Sequence, residues 1–317
     1  MLEWEGVSLG YHRTGRKIFE EFSLTVEDST VLLGPTGSGK STLLASIVGI
    51  LPEVNGIIRI GQRPVGRGGA AGRQWASYVP GANLLPRELT VSEYLTEIGR
   101  LDGMSSASSR RHAQAVAERL QLTESLRVRM RAVSCATKRK TLIAAAVLKP
   151  AEWLLVDEPT SGLDPEGQRL VLTLLQAESR HRGVLVATRQ VAETAVFPDR
   201  LLLLHDGQII FDGPCPRLAE GAQGHVFRVP QKAVGEAPSD RWWQPMPGGE
   251  IKIYRQACPP SAIGIEPTVE DGYFWALLNV ESKPDLERAA TDSPEGPVEA
   301  MTSTNDPPYR EKITHGQ

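Results

Sequence analysis

Eight consecutive residues decide the fold of this sequence: Gly34-Pro35-Thr36-Gly37-Ser38-Gly39-Lys40-Ser41. They match the phosphate-binding pattern G-x-x-x-x-G-K-S/T at every defined position. The apolar residues 31–33 before them predict a buried strand, and residues 41–48 after them predict a helix. Glycines allow the backbone to approach a polyphosphate closely, and the N–H groups of a helix N-terminus stabilise its negative charge. The sequence therefore predicts an α/β fold of the P-loop NTPase class that binds a nucleoside triphosphate.

The motif assigns a contact to individual residues of this loop. The ammonium of Lys40 reaches the β- and γ-phosphates, and the hydroxyl of Ser41 is a ligand of Mg²⁺. The alternative is a glycine-rich turn that only resembles the motif, and the strand and helix on either side disfavour it. The predicted nucleotide-binding residues are Gly34, Pro35, Thr36, Gly37, Ser38, Gly39, Lys40, Ser41 and Thr42.

Two adjacent carboxylates end a second apolar run. Residues 153–156 predict a buried strand, and Asp157 and Glu158 follow it directly. At the end of such a strand Asp157 can hold Mg²⁺ through water, while Glu158 points elsewhere and can polarise an attacking water. An Asp-Glu pair can also be a solvated strand end, but the residues after this pair argue against that alternative.

The residues after Glu158 resemble a known family. Pro159-Thr160-Ser161-Gly162-Leu163-Asp164-Pro165 is similar to the loop that follows the catalytic glutamate in ATP-binding cassette (ABC) ATPases. The resemblance covers most of the first 200 or so residues, with the motifs in the family's order. Further similar segments are the flanks of the glutamine loop at residues 78–80 and 89–93, the signature segment with its helix at residues 133–149, and the approach to the switch histidine at residues 187–188.

This resemblance implies both a fold and a set of ligands. The implied fold has a RecA-like core sheet, an antiparallel β subdomain and a helical subdomain. The implied ligands are ATP and Mg²⁺, with Tyr11 stacking on adenine, Ser41 and Asp157 holding the metal, and Glu158 as the catalytic residue. In this family two cassettes meet head to tail, so that each ATP lies between one phosphate loop and the other chain's signature. The implied partners are therefore a second cassette, identical or different, and integral-membrane permease subunits on separate chains.

Two of the family's motif positions for sensing nucleotide have changed. Gly81 stands in place of the glutamine that senses Mg²⁺ and the attacking water and links nucleotide state to the membrane partner. Asn83 or Gln74 could take over the role of that glutamine, although neither is in register with its position. Arg189 stands in place of the switch histidine. It can pair with the γ-phosphate as a fixed cation, or it can point to solvent, and it cannot exchange a proton as histidine does. Both interpretations of Arg189 stay open.

The signature has changed as well. The family sequence Leu-Ser-Gly-Gly-Gln reads Val133-Ser134-Cys135-Ala136-Thr137 here. The hydroxyl of Ser134 and the predicted helix N-terminus are retained and can still face a phosphate. Cys135 and Ala136, however, add β-carbons where the backbone must pass close to the γ-phosphate. We expect a weakened site rather than an abolished one.

Together these changes predict an ATPase that turns over slowly on its own. Loss of one preorganised donor to developing charge lowers a rate by about 10²–10³-fold. We therefore expect this chain to work best opposite a different cassette with an intact signature. One alternative is a regulatory cassette that binds ATP without hydrolysing it, although the retained Glu158 argues against that role. A second alternative is an ABC protein of translation or DNA repair, but such proteins carry tandem cassettes or long coiled coils, and this chain has no sustained heptads.

The composition limits the class of protein. The chain has 317 residues, 40% of them hydrophobic, and a net charge of −3, which gives no electrostatic footprint for nucleic acid. No segment approaches about 20 continuous apolar residues, so any channel is expected on another polypeptide. Three cysteines without metal-ligand spacing and the lack of a visible signal peptide predict a cytoplasmic protein. The resemblance to ABC transporter subunits implies that it is peripheral on the inner face of the cell membrane.

The predicted organisation has three parts. Residues 1–220 are expected to form the cassette, with a mostly helical subdomain at about 82–150, and residues 224–281 a small accessory domain. Residues 282–317 are polar, have no apolar period and predict a disordered tail. Residues 266–278 resemble the carboxyl-terminal element of drug- and polyketide-exporting ABC ATPases of the daunorubicin-resistance type, and an ordinary capped helix is the alternative.

Six basic residues surround the changed signature. They predict a solvated charged face, and the sharper alternative is a contact with acidic partner groups or with ATP. The six are Arg127, Arg129, Arg131, Lys138, Arg139 and Lys140.

Overall fold

The structure is a computed structural model of the chain. It describes residues 1–11, 16–51, 55–66, 70–197, 199–230, 243–248, 250–258 and 262–281, almost all of them in one compact unit, Met1–Val280. The predicted tail at 282–317 lies outside the described residues. The strands are β1 (Leu2–Tyr11), β2 (Arg16–Val26), β3 (Thr30–Leu33), β4 (Asn55–Ile60), β5 (Arg63–Pro64), β6 (Ala76–Val79), β7 (Trp153–Asp157), β8 (Gly183–Thr188), β9 (Leu201–His205), β10 (Gln208–Gly213), β11 (Val226–Pro230), β12 (Trp243–Met246), β13 (Glu250–Tyr254) and β14 (Ile263–Gly264). The helices are α1 (Lys40–Ile47), α2 (Ala70–Trp75), α3 (Val91–Leu101), α4 (Ser106–Arg119), α5 (Cys135–Leu148), α6 (Pro165–Glu178), α7 (Cys215–Glu220) and α8 (Val269–Glu281), with short 3₁₀ helices at Thr123–Ser125 and Val191–Val196.

A six-stranded sheet forms the centre of the molecule, in the order β10-β9-β3-β8-β7-β6. All pairs except β10 with β9 are parallel. Strands β3 and β7 are buried along their whole length, as expected of apolar strands that are covered on both faces. Since the strands are parallel, Leu33, Asp157 and Thr188 all lie at the carboxyl edge of this sheet. The predicted RecA-like core sheet is confirmed.

An antiparallel sheet packs against one face of this core. Its order is β2-β1-β4-β5, and β1 pairs with both β2 and β4. Trp4 is buried, and its indole N–H donates a 3.0 Å hydrogen bond to the Ser46 hydroxyl on α1. Apolar and polar residues alternate along β1 and β2, so the apolar face of this sheet packs over α1, the helix that follows the phosphate loop.

Three capped helices make up the predicted helical region. Thr90 begins α3 with a capping box, in which its hydroxyl accepts from the Glu93 N–H and the Glu93 carboxylate accepts from the Thr90 N–H. Ser105 caps α4 and Ser134 caps α5 in the same way, through hydroxyl acceptors. The apolar faces of these helices join the core on the other side of the central sheet.

A second small sheet follows the central one. Its order is β12-β13-β11-β14, and α8 packs beside it. The buried Asp271 carboxylate joins the two elements, because it accepts 2.8 Å hydrogen bonds from Lys252 and Tyr254 on β13 and from Thr268 before α8. A Cβ at Gly272 would lie 2.0 Å from the Leu218 carbonyl oxygen. Only glycine at this position therefore allows α8 to approach α7 so closely.

Candidate nucleotide site

The phosphate loop connects β3 to α1 and depends on glycine at two positions. Gly39, the N-cap of α1, has a φ of +109°, and a Cβ there would lie 2.7 Å from the ring of Phe19. A Cβ at Gly34 would lie 2.2 Å from the Leu204 carbonyl oxygen. Both positions therefore exclude side chains, and glycine there lets the loop backbone pass close to β9 and to the ring of Phe19.

Lys40 is the first residue of α1 and lies under the loop. Its side chain is buried, and its ammonium donates 2.8 Å hydrogen bonds to the carbonyl oxygens of Gly34 and Pro35. Burial lowers the pKa of Lys40, and the negative charges of Glu158 and Asp157 oppose that shift. The cation is thus held inside the loop, within reach of any anion that the loop binds.

The two carboxylates lie at the end of β7, across from the loop. Asp157 is 3% exposed, and its Oδ1 has no hydrogen-bond partner among the described residues. The same is true of Glu158 Oε2, which lies 3.9 Å from the guanidinium of Arg189. Burial raises the pKa of Glu158, while Lys40 and Arg189 lower it. Buried oxygen atoms without hydrogen-bond donors are what a metal ion and a water require.

One cavity of about 440 Å³ brings the loop and the carboxylates together. The predicted residues that line it are Thr36, Gly37, Gly39, Lys40, Ser41, Thr42, Gly81, Asp157, Glu158 and Arg189. Ile18 and Ser161 also line it and were not predicted. Ser161 belongs to the quoted loop after Glu158, so the motif itself contained a signal for it. In the described part of the chain no group of three or more His, Cys, Asp or Glu residues could hold a metal alone.

This cavity fits a magnesium nucleotide. A glycine loop with a buried lysine accommodates phosphates, and Ser41 and Asp157 supply oxygen ligands of the kind that Mg²⁺ prefers. With so few protein ligands, the phosphates and water would complete the coordination of the metal.

Comparison with known proteins identifies the family. A family model described as ABC transporter matches residues 20–161. The linearmycin resistance ATP-binding protein LnrL of Bacillus subtilis (strain 168) is 31% identical to this chain over 242 residues, which are 75% of this chain and 77% of that protein. The chain belongs to the ATP-binding subunits of ABC transporters. As a member of this family it binds and hydrolyses ATP.

Two further comparisons agree with this assignment. The Nod factor export ATP-binding protein I of Bradyrhizobium diazoefficiens is 33% identical over 193 residues, which are 61% of this chain and 63% of that protein. A solved structure of an ATP-binding subunit of an ABC transporter superposes with a TM-score of 0.63 at 26% identity, over 69% of this chain and 92% of that chain. The predicted family and fold class are confirmed. None of the helices in the described ranges is long and apolar enough to cross a membrane.

The altered glutamine-loop position of this ABC subunit lies against the Asp157 carboxylate. A Cβ at Gly81 would lie 3.2 Å from Asp157 Oδ2, which is closer than an ordinary contact. Neither Asn83 nor Gln74 is among the residues that line the cavity. The structure thus brings the Gly81 backbone to the carboxylate but places neither of the two possible substitutes there.

The altered signature lies outside this cavity. Ser134 is exposed at the N-terminus of α5, where its hydroxyl accepts a 3.0 Å hydrogen bond from the Thr137 N–H, and Cys135 beside it is exposed too. The predicted hydroxyl and helix N-terminus are therefore present on the surface. Tyr11 ends β1, and its side chain lies outside the described residues, so its stacking on adenine stays a prediction.

Arg189 follows β8 at the rim of the cavity. Its side chain is 61% exposed, yet its Nε lies 3.9 Å from Glu158 Oε2. It is thus exposed to solvent and adjacent to the predicted catalytic carboxylate at the same time.

The prediction of a solvated basic face is wrong for Arg139. Its side chain is completely buried and donates hydrogen bonds to backbone carbonyls of the loop after β7. Arg127, Arg129 and Arg131, by contrast, are exposed as expected. The periodicity of α5 held a signal for the difference, because Arg139 shares a helix face with the buried Ile143.

Proposed function

We propose that this subunit powers export through separate membrane subunits, with ATP hydrolysis at the cavity between the phosphate loop and β7. The observation that carries the proposal is the placement around one cavity of Lys40 and of two carboxylate oxygens, Asp157 Oδ1 and Glu158 Oε2, that have no hydrogen-bond donor among the described residues. The names of the relatives concern drug resistance and export, which supports the direction of transport.

Each residue of the site has a distinct role in this proposal. The loop backbone and Lys40 hold the phosphates, with Lys40 exchanging its carbonyl partners for phosphate oxygens. Ser41 and Asp157 hold Mg²⁺, which neutralises charge on the β- and γ-phosphates when it is bound. The ionised Glu158 accepts a hydrogen bond from the attacking water and orients it in line with the γ-phosphate.

An apolar groove supports docking on a membrane subunit. It lies between the central sheet and the helical subdomain, has a volume of about 360 Å³, and is lined by Ile50, Tyr78, Tyr94, Ile98 and Leu101 among others. Ile50 and Leu101 are large apolar side chains that are mostly exposed. Exposed apolar surface of this kind is typical of protein contact sites. We propose that a segment of a membrane subunit binds there and holds the chain at the cytoplasmic face of the membrane.

The surface position of Ser134 supports a composite site. We propose that two cassettes assemble head to tail, so that each signature completes the partner's ATP site. Cys135 and Ala136 make this chain a poor donor of a signature, while its own phosphate loop and carboxylates remain complete. The chain is therefore expected to hydrolyse ATP slowly with itself and faster opposite a cassette with an intact signature.

Complementation between variants of this chain tests the arrangement. A triple variant, Lys40→Ala with Cys135→Gly and Ala136→Gly, offers a glycine signature but cannot bind its own ATP. Added to the wild-type chain, it is expected to raise ATP turnover per wild-type chain by about tenfold, because one improved donor set faces the ATP. The matched control is Lys40→Ala alone, which keeps the natural signature and should not stimulate. Brisk turnover by the wild-type chain alone would contradict the proposal of a different partner cassette.

A regulatory role predicts another outcome. In that role the wild-type chain binds ATP but does not turn over with either variant. Steady-state turnover and ATP binding, measured on the same samples, separate the two roles.

A further inference from the structure

A single buried arginine connects three segments of the site. The Arg139 guanidinium donates hydrogen bonds to the carbonyl oxygens of Pro80 at 2.6 Å, Glu158 at 2.8 Å and Pro159 at 3.3 Å, and to that of Asp157 as well. Arg139 itself lies on α5, which begins at the signature serine. One planar fork of donors thus holds the glutamine-loop segment and the loop after β7 against the signature helix.

The backbone that Arg139 holds is in an unfavourable conformation. Glu158 has a φ of +50°, in the left-handed region that residues other than glycine rarely adopt. Such a residue persists only where its surroundings fix it. The Glu158 N–H donates to the Ala187 carbonyl at 2.8 Å, and its carbonyl accepts from Arg139. These two bonds hold the peptide groups on either side of the Cα, so they determine where the Glu158 side chain points.

The positive charge of Arg139 interacts with carboxylates in and around the loop after β7. The guanidinium is completely buried, so it requires nearby anions. Asp157, Glu193 and Glu158 supply negative charge around it, and burial lowers the pKa of Arg139 against their influence. Glu193 is buried too and accepts a hydrogen bond from Thr160, two residues after Glu158. Arg139 is therefore part of the interior that supports the catalytic loop.

We infer that Arg139 is a positioning residue for Glu158, and that it transmits the position of the signature helix and of the Pro80–Gly81 segment to that carboxylate. Gly81 has no side chain that could connect its segment to the site, whereas the Pro80 carbonyl is bonded directly to Arg139. In this chain the connection between these segments runs through a fixed cation on α5. The inference rests on the proposed role of Glu158 in hydrolysis.

Substitution of Arg139 by lysine tests this inference. Lysine keeps the positive charge but loses the fork that spans four carbonyls. We expect R139K to lower kcat by about 10–100-fold, because misplaced supporting groups have effects of that size, with KM for ATP changed by less than about threefold.

Arg182 provides a matched control. Its side chain is 8% exposed and donates hydrogen bonds to the carbonyls of Val147 and Lys149 at the other end of α5. Arg182 lies between α6 and β8, so R182K removes a guanidinium fork that binds the carboxyl end of α5 and the Glu178 carboxylate without touching the loop after β7. Its kcat per folded molecule is expected to stay within about threefold of wild type, since Arg182 does not line the cavity and its loss should act through stability.

A double-mutant cycle with E158Q separates positioning from a general structural effect. If Arg139 acts through Glu158, R139K lowers the residual turnover of E158Q by less than about threefold, since coupled residues are not additive. An equal loss in both backgrounds, or an equal loss in R139K and R182K, would overturn the inference. Unchanged turnover in E158Q alone would instead overturn the proposed function.

Folding is measured in parallel by thermal unfolding and by binding of ATP. If R139K does not fold, R139Q takes its place, because the glutamine amide can still donate to two of the carbonyls. A kcat of the folded variant within about threefold of wild type would contradict the positioning role.

Discussion

Two sets of residues in the site are held in different ways. The first set is the phosphate loop and the two carboxylates after β7, and the second is the positions that depart from the family's motifs. Lys40 and Asp157 are buried, and neighbouring backbone and packing fix them. Cys135 and Arg189 are exposed, and Gly81 offers no side chain at all. The groups that we propose to bind ATP and its metal are thus held within one chain, whereas the groups proposed to respond to a second chain or to nucleotide state lie on its surface. Substitutions in the first set should therefore abolish ATP binding or hydrolysis, and substitutions in the second set should only change the rate of hydrolysis.

The largest effect is expected from Lys40→Ala, because it should remove ATP binding and turnover together. Removal of a buried cation that binds phosphate loses charge-assisted hydrogen bonds of about 1.5–3 kcal/mol each, so ATP affinity should fall by at least about 10²-fold. Titration with a fluorescent ATP analogue measures this. Lys17→Ala, at an exposed lysine paired with Glu20, is the control and should bind ATP as the wild type does. Retained nanomolar-to-micromolar affinity in Lys40→Ala would show that the loop does not bind the phosphates.

Glu158→Gln is expected to separate binding from hydrolysis. Loss of a general base lowers turnover by about 10²–10⁴-fold, while ATP binding is retained. Because burial raises the pKa of Glu158, the wild-type rate should fall on the acid side at a higher pH than an exposed glutamate would give. The carboxylate must be ionised to orient water, so activity is lost as pH falls through this raised pKa.

The pH–rate profile of wild type and variant checks this. The acid limb should be absent from the residual activity of Glu158→Gln. Glu166→Gln, at an exposed carboxylate on α6, serves as the control. A variant with wild-type turnover would remove Glu158 from the mechanism.

The sequence predicted the phosphate loop and the two carboxylates better than it predicted the residues that support them. The loop and the strand before Asp157 are contiguous motifs, so local apolar runs and glycines were enough to place them. The role of Arg139 could not be predicted in that way. Its partner Pro80 lies 59 residues away in the sequence, and Lys138 and Lys140 beside it are typical of a solvated face. The Arg139 guanidinium can be buried only because the folded sheet brings together the carbonyls of Pro80, Glu158 and Pro159.

Restoration of the signature glycines should have a moderate effect in the opposite direction. Cys135→Gly with Ala136→Gly lets the start of α5 approach a phosphate more closely, and we expect turnover to rise by about tenfold. Steady-state ATPase assays at saturating ATP measure the change. The matched control is Ser106→Gly with Ala107→Gly, the same two positions after the serine cap of α4. If both pairs of glycines change turnover equally, the signature of this chain does not face a nucleotide.

The smallest effect is expected from Arg189→Ala, and it should appear in the pH profile rather than in the maximal rate. The positive charge of Arg189 lowers the pKa of Glu158 from a distance of 3.9 Å. Its removal raises that pKa, so at a given acidic pH less of the carboxylate is ionised and the acid limb moves to higher pH. Arg189→Lys keeps the charge and should leave the limb in place.

Ionic strength provides an independent check on the same contact. Arg189 is mostly exposed, and the Debye length falls from about 10 Å at 0.1 M salt to about 3 Å at 1 M. Salt should therefore move the wild-type acid limb toward that of Arg189→Ala and leave the variant less affected. Superimposed profiles at low salt would mean that Arg189 points to solvent during turnover. A raised KM for ATP with an unshifted limb would instead place its charge on the γ-phosphate, so that the exposed switch position acts on the nucleotide and not on the carboxylate.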